Sequence, residues 1–186
     1  MRHFRLVSHW QVPAPVATVW DELADPAFTW PTWWRGLQAE EVRASGGRTA
    51  ERWSRVRVRV RSPLGWSLRF GLMLVSVTEP TPGRSPTPGR ALLRATGDLS
   101  GFGAVVVAPV PGGTRVTLTW TVALTRADAV GRALRACPRP VLAAAHAAVM
   151  RAGERGLVRR LRAPEPAVSR SRGAPWPPRR SCAAPP

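Results

Sequence analysis

The run RVRVRVR over residues 55–61 alternates an arginine with a β-branched apolar residue at a strict period of two. Such a segment is a strand with one dry and one wet face, Val56, Val58 and Val60 toward a core and Arg55, Arg57, Arg59 and Arg61 toward water. A helical period would scatter both sets around the cylinder. A strand that is half wet belongs in an antiparallel sheet covered on one side, so the rest of the chain must supply neighbouring strands and a cover.

The neighbours can be read on either side. Residues 4–12 alternate, with Phe4, Leu6, Ser8, Trp10 and Val12 sharing a face, and predict a first strand that Pro13 and Pro15 stop. Val16, Val19, Trp20 and Leu23 then fall at helical spacing up to Asp25-Pro26, and a second short helical piece lies in AFTWPTWWRG, ended by Gly36. A meander follows: strands over 37–44 and 49–61 joined by a turn at Ser45-Gly46-Gly47, then SPLG leading into 66–79, where Trp66, Leu68, Phe70, Leu72 and Leu74 share the inner face. The loop PTPGRSPTPGR, which repeats PTPGR, separates this strand from a fifth over 90–99. A turn near Ser100-Gly101 begins a sixth over 103–110, and Pro111-Gly112-Gly113 leads into a seventh over 114–124, with Val116, Leu118, Trp120 and Val122 inward.

After Asp128 the period becomes helical. Pro138 and Pro140 divide a short helix from a long one over about 140–161, on which Val141, Leu142, Ala145, Ala148, Val149, Ala152, Leu157 and Leu161 form an apolar stripe. From Arg162 onward the chain is Pro, Arg, Ser and Ala around a lone Trp176, too poor in apolar surface to order itself. The expected organisation is one α+β domain over 1–161 and a disordered Arg/Pro-rich tail over 162–186.

Composition matters for what this domain meets. All 28 basic residues are arginine and the net charge is +17, which invites a polyanion partner. The arginines are spread along the chain, however, with five in the tail, and no helix-turn-helix or zinc-finger pattern accompanies them. No specific nucleic-acid partner is expected. Cys137 and Cys182 make neither a disulfide framework nor a metal knuckle, and His3, His9 and His146 do not cluster, so neither metal nor cofactor is expected. The opening residues lack a signal-peptide core and no apolar run is long enough to span a bilayer, which reads as a cytoplasmic chain without a transmembrane segment.

Five stretches in this order carry a likeness. APVATVWDELADP at 14–26 with the tryptophan cluster after it, PLGWSLRF at 63–70, ATGDLSGFG at 95–103, GGTRVTLTW at 112–120 and HAAVMRAGERGLVRRL at 146–161 together resemble the SRPBCC superfamily, of START and Bet v 1-like helix-grip fold. Within it they resemble the bacterial polyketide cyclase/dehydrase-like proteins. The resemblance runs over nearly all of 1–161. It implies a curved antiparallel sheet of about seven strands, in the order β, two short α, six β, α, wrapped around the long C-terminal helix. It also implies a cavity between sheet and helix that takes lipids, sterols, polyketides or other hydrophobic molecules.

Candidate site residues follow. Trp30, Trp33 and Trp34 can wall a pocket and stack on a polycyclic ligand, or plug the end of the sheet as core. Val58, Phe70, Leu72, Leu93 and Trp120 on the inner strand faces, with His146 and Met150 on the long helix, complete the expected ligand-binding set. Trp10 and Trp20 read as core, as Trp120 does by its packing. His146 can act as general acid or base if it faces the cavity, or be a structural histidine bonded to a loop carbonyl; no carboxylate lies at helical spacing to orient it. Asp98 can serve as the acid of an aldol-type cyclisation, but strand parity puts it beside Arg90 and Arg94 as a surface ion pair. Glu51, Glu79, Asp21 and Glu22 read as solvated. Gly101-Phe102-Gly103 lacks the third glycine of a dinucleotide loop, and the chain has no lysine for a Schiff base, no GxSxG and no Cys/His pair.

Three functions remain: binding of an apolar small molecule, a cyclase/dehydrase-type enzyme, and an arginine-rich module on polyanions. The first leads, because no paired acid and base is visible.

Overall fold

The computed structural model describes residues 2–43, 52–81, 83 and 86–162. The tail over 163–186, the turn at Ser45-Gly46-Gly47, Glu51 and part of the PTPGR repeat lie outside the described residues.

Alternation becomes a sheet as expected. β1 (Arg2–Val12), β2 (Leu37–Arg43), β3 (Arg55–Arg61), β4 (Ser67–Thr78), β5 (Gly89–Gly97), β6 (Leu99–Val110) and β7 (Gly113–Leu124) form one antiparallel sheet in the order β1-β7-β6-β5-β4-β3-β2. After β1 come α1 (Val16–Leu23) and α2 (Trp30–Trp33); after β7 come α3 (Ala129–Ala136) and α4 (Arg139–Arg162). This is the helix-grip α+β architecture. Register shifts between Ala39 and Glu41 and between Leu74 and Ser76 interrupt the pairing of β2 and β4, and such bulges bend the strands that carry them.

The dry face assembles across the sheet from Trp10, Val58, Phe70, Leu72, Ala95, Val107, Val116 and Leu118, all buried. In the arginine-valine strand, Val58 is fully buried while Arg55, Arg57 and Arg61 are exposed. Among the described residues no helix is long and apolar enough to cross a membrane.

Several boundaries differ from expectation. The sixth strand starts at Leu99, not 103, and the chain reverses at Asp98 instead of at Ser100-Gly101. Gly101 sits inside the strand at φ +146°, where a Cβ would strike the Thr121 backbone; the glycine serves close strand approach and not a turn. The third strand begins at Arg55, after a turn at Arg52-Trp53 in which Trp53 takes φ +77°. On α4, Val141 is exposed and leaves the expected stripe; Met150, Gly153 and Gly156 join it instead.

Those two glycines explain how the helix docks. A Cβ on Gly153 would fall 2.5 Å from the Trp34 ring, and one on Gly156 would collide with the Trp33 carbonyl. Gly103 is seated in the same way beneath Trp120, where a Cβ would come within 2.6 Å of the indole. The large rings thus lie on backbone, which lets helix and sheet close to core density around them. Glu22 of α1 pairs with Arg160 at 3.3 Å and ties the far end of α4 to the first helix.

Candidate hydrophobic cavity

Between the inner face of the sheet and α4 lies a cavity of about 190 Å³. Its sheet wall carries Phe4 and Leu6 of β1, Trp120 and Val122 of β7, and Phe70 and Leu72 of β4, with Val58 and Val60 of β3 beside them. Leu142, Ala145, His146, Val149 and Met150 of α4 form the opposite wall, and Leu134 of α3 contributes to the same cavity. Side-chain hydroxyl or imidazole groups come only from Ser62 and His146 among the lining residues.

The tryptophan segment divides its labour. Trp30 and Trp34 line the cavity, whereas Trp33 stacks behind Trp34 with centroids 5.8 Å apart and does not reach it. Trp34 donates its indole N–H to the Val149 carbonyl of α4 at 3.0 Å, and Trp30 donates to Leu23 O at 3.2 Å. Trp10 meets Trp34 edge-on at 5.1 Å, and Phe28 meets Trp30 at 4.8 Å, so an aromatic array runs from β1 to the loop before α2. By contrast the indole N–H groups of Trp10, Trp20, Trp33 and Trp120 are buried without an acceptor and contribute apolar bulk.

Of the expected set, Trp30, Trp34, Val58, Phe70, Leu72, Trp120, His146 and Met150 come together around this space. Leu93 does not; it lines a second, smaller chamber farther along the sheet. Residue reading missed Phe28, whose position depends on a loop with φ +52°, and Ser62, which lies in the turn between β3 and β4. Its hydroxyl accepts from Leu64 N at 3.2 Å. Phe4 and Leu6 were legible by strand parity, since they share a face with Trp10.

His146 is the titratable group in the wall. Its Nε2 lies 3.3 Å from the Ser8 hydroxyl on β1, a hydroxyl partner where a loop carbonyl was the expected alternative to catalysis. Burial pushes the imidazole down from its ordinary 6.5 to about 4, so the ring is neutral at pH 7. A neutral ring of that basicity donates or accepts a hydrogen bond but is a weak proton acceptor near neutrality. Asp98 lies outside the cavity: it accepts from Arg69 N at 2.8 Å and pairs with Arg126 at 3.2 Å, so the ion pair expected of it forms with Arg126 and not with Arg90 or Arg94. Arg126 also grips Asp128 at 2.7 Å, and Asp128 caps α3 by accepting from Gly131 N at 2.9 Å. Among the described residues no three of His, Cys, Asp and Glu gather into a metal-binding group.

Residues 3–162 match the family described as polyketide cyclase / dehydrase and lipid transport. The chain belongs to that family. Its members' SRPBCC-type fold is the sheet-and-helix grip described above, and the match spans every element from β1 to α4. Solved structures agree on the cyclase/dehydrase and lipid-transport fold. The di-domain ARO/CYC protein BexL from the BE-7585A biosynthetic pathway is 19% identical, with a TM-score of 0.63 over 88% of this chain and 51% of BexL. TTHA0849 from Thermus thermophilus is 21% identical, with a TM-score of 0.58 over 86% of this chain and 99% of the other. Ara h 8.0201 is 12% identical, with a TM-score of 0.51 over 85% and 99%. At these identities the likeness is one of fold. A comparison with curated proteins finds no match.

Proposed function

We propose that this protein binds a hydrophobic small molecule between sheet and α4, and that it works as a carrier or sensor. The observation that supports this most is the cavity wall itself, apolar apart from Ser62 and His146. Transfer of a ligand from water into such a space is favoured by about 25 cal/mol for each Å² of apolar area buried. Trp30 and Trp34 offer ring faces for stacking, and neutral His146 offers one hydrogen bond to a ligand hydroxyl or carbonyl. At about 190 Å³ the space exceeds the roughly 150 Å³ that holds a benzene and falls below the roughly 300 Å³ typical of drug-sized ligands, so a one- or two-ring compound suits it as it stands.

An enzyme of cyclase/dehydrase type is the second reading, carried by the placement of His146 in the wall. It requires His146 to move a proton without a carboxylate partner, which is why binding stands first. The domain over 1–161 would hold this function alone.

The decisive experiment is native mass spectrometry of protein purified from its own host, with the released compound identified and the melting temperature measured with and without it. A stoichiometric apolar compound that raises the melting temperature supports binding. A protein that no apolar compound stabilises refutes it. Conversion of the compound by the wild type, lost in His146→Asn, would move the assignment to the enzyme.

A further inference from the structure

A second chamber of about 90 Å³ lies beside the first, bounded by Trp20 and Leu23 of α1 and by Leu74, Ala91, Leu93 and Val105 of the sheet. Phe28, Trp30 and Leu72 line both chambers. The wall between them is therefore an aromatic pair, Phe28 against Trp30 at 4.8 Å.

The two rings are held differently. Trp30 is tethered through its N–H to Leu23 O. Phe28 is presented by a turn organised around Asp25, whose carboxylate accepts from Ala27 N at 2.9 Å and Thr29 N at 3.3 Å, while Phe28 N donates to Asp25 O at 3.0 Å. That turn fixes Phe28 at φ +52°, a backbone conformation uncommon for a bulky residue. The backbone is thus pinned, and the half-buried ring has no polar tether of its own.

The chambers also differ in chemistry. The second includes Asp25, Arg43, Ser54 and Arg55 in its lining. Arg43 is paired with Glu41 at 2.5 Å, and the Asp25 carboxylate is engaged by the two backbone N–H groups. Arg55 has no carboxylate within ion-pair distance among the described residues.

We propose that the two chambers are subsites of one site, divided by the Phe28 ring as a movable partition, and that the full occupant is an elongated amphipathic molecule. Its apolar body lies in the first chamber and its anionic end beside Arg55. This rests on the binding function proposed above and extends it. Rotation of Phe28 about its side-chain bonds joins the chambers without moving the sheet, and a cation at the far end favours a carboxylate or phosphate over a neutral terminus.

Dissociation constants for naphthalene, dodecanoate and dodecanol test the proposal in the full chain. Ala91→Leu, which fills the second chamber, is expected to weaken dodecanoate at least tenfold and leave naphthalene within twofold; Val105→Ile fills the same chamber from β6 should the first variant fold poorly. Arg55→Gln is expected to weaken dodecanoate several-fold and dodecanol not at all. Phe28→Ala is expected to speed dodecanoate association. Binding of naphthalene without dodecanoate, or filled variants that bind dodecanoate as the wild type does, overturns the second subsite and leaves the cavity function standing. An equal loss of dodecanoate and dodecanol in Arg55→Gln overturns the anionic end. Failure of all three probes on the wild type overturns the cavity function itself.

Discussion

The imidazole Nε2 of His146 lies 3.3 Å from the hydroxyl oxygen of Ser8, joining the long helix to the first strand across the edge of the cavity. The contact matters because the ring is buried and neutral. Charging it would place a cation in an apolar wall with one hydroxyl as its partner.

Stability should therefore depend on pH in a defined window. The folded value of His146 is depressed from 6.5 to about 4, so between those values the unfolded chain binds the extra proton. Stability is full above pH 6.5, falls as pH drops toward 4 and changes no further from this group below that. The complete swing is at most about 3 kcal/mol, from 1.36 kcal/mol for each unit. Urea titrations from pH 4 to 7 should show the slope in the wild type and its reduction in His146→Gln. An unchanged slope would place the proton elsewhere.

Gly156→Ala should destabilise the fold although alanine is the better helix former by about 1 kcal/mol. The added methyl meets the Trp33 carbonyl, and overpacking of this kind costs about 1–3 kcal/mol. Ala143→Gly, at an exposed position of the same helix, is the control that reads propensity alone. A neutral Gly156→Ala would mean that α4 and α2 separate freely.

Trp34→Phe removes the indole donor and leaves the Val149 carbonyl without it, at a cost of about 1 kcal/mol. Because Trp34 also lines the cavity, affinity for an aromatic ligand should drop together with the melting temperature. Trp33→Phe should lower the melting temperature with a smaller effect on affinity, since Trp33 stays behind Trp34. Equal effects on affinity would deny the distinction between the two rings.

Asp128 is both a cap and an ion-pair partner. The hydrogen bond from Arg126, and after it the Gly131 N–H, hold its carboxyl at about 2, below its ordinary 3.8. Its contribution is present above pH 3.8 and lost as pH falls toward 2. Asp128→Ala should lower the melting temperature at pH 7 more than Asp128→Asn does, because asparagine still caps a helix. The gap between Asp128→Asn and wild type should close near pH 2.

Much of this architecture was legible because alternation carries it. Val56, Val58 and Val60 against their arginines, and Val116, Leu118, Trp120 and Val122 against their threonines, placed the inner face at single-residue precision. Asp128 with Pro138 and Pro140 marked the two last helices. What failed were glycines and loops. Gly101 resembles a turn residue in sequence, and only the neighbouring strand shows why it is a glycine. Gly153 and Gly156 interrupt an apolar stripe, yet they are where the helix touches most closely. Strand parity put Leu93 on the inner face but could not say which of two chambers it would meet. Trp30 and Trp34 separate from Trp33 through the turn of α2, and Phe28 enters through the backbone of a loop, neither of which a residue pattern encodes.

The seating of Trp33 and Trp34 on two glycines has a consequence for how such a protein changes its cargo over generations. The thickness of a ring, not the bulk of a wall residue, sets the distance between α4 and the segment that precedes β2. A substitution at Trp33, outside the cavity, would let the helix settle differently and resize the space without altering any group a ligand touches. Selection for a larger or smaller guest can thus act from behind the wall.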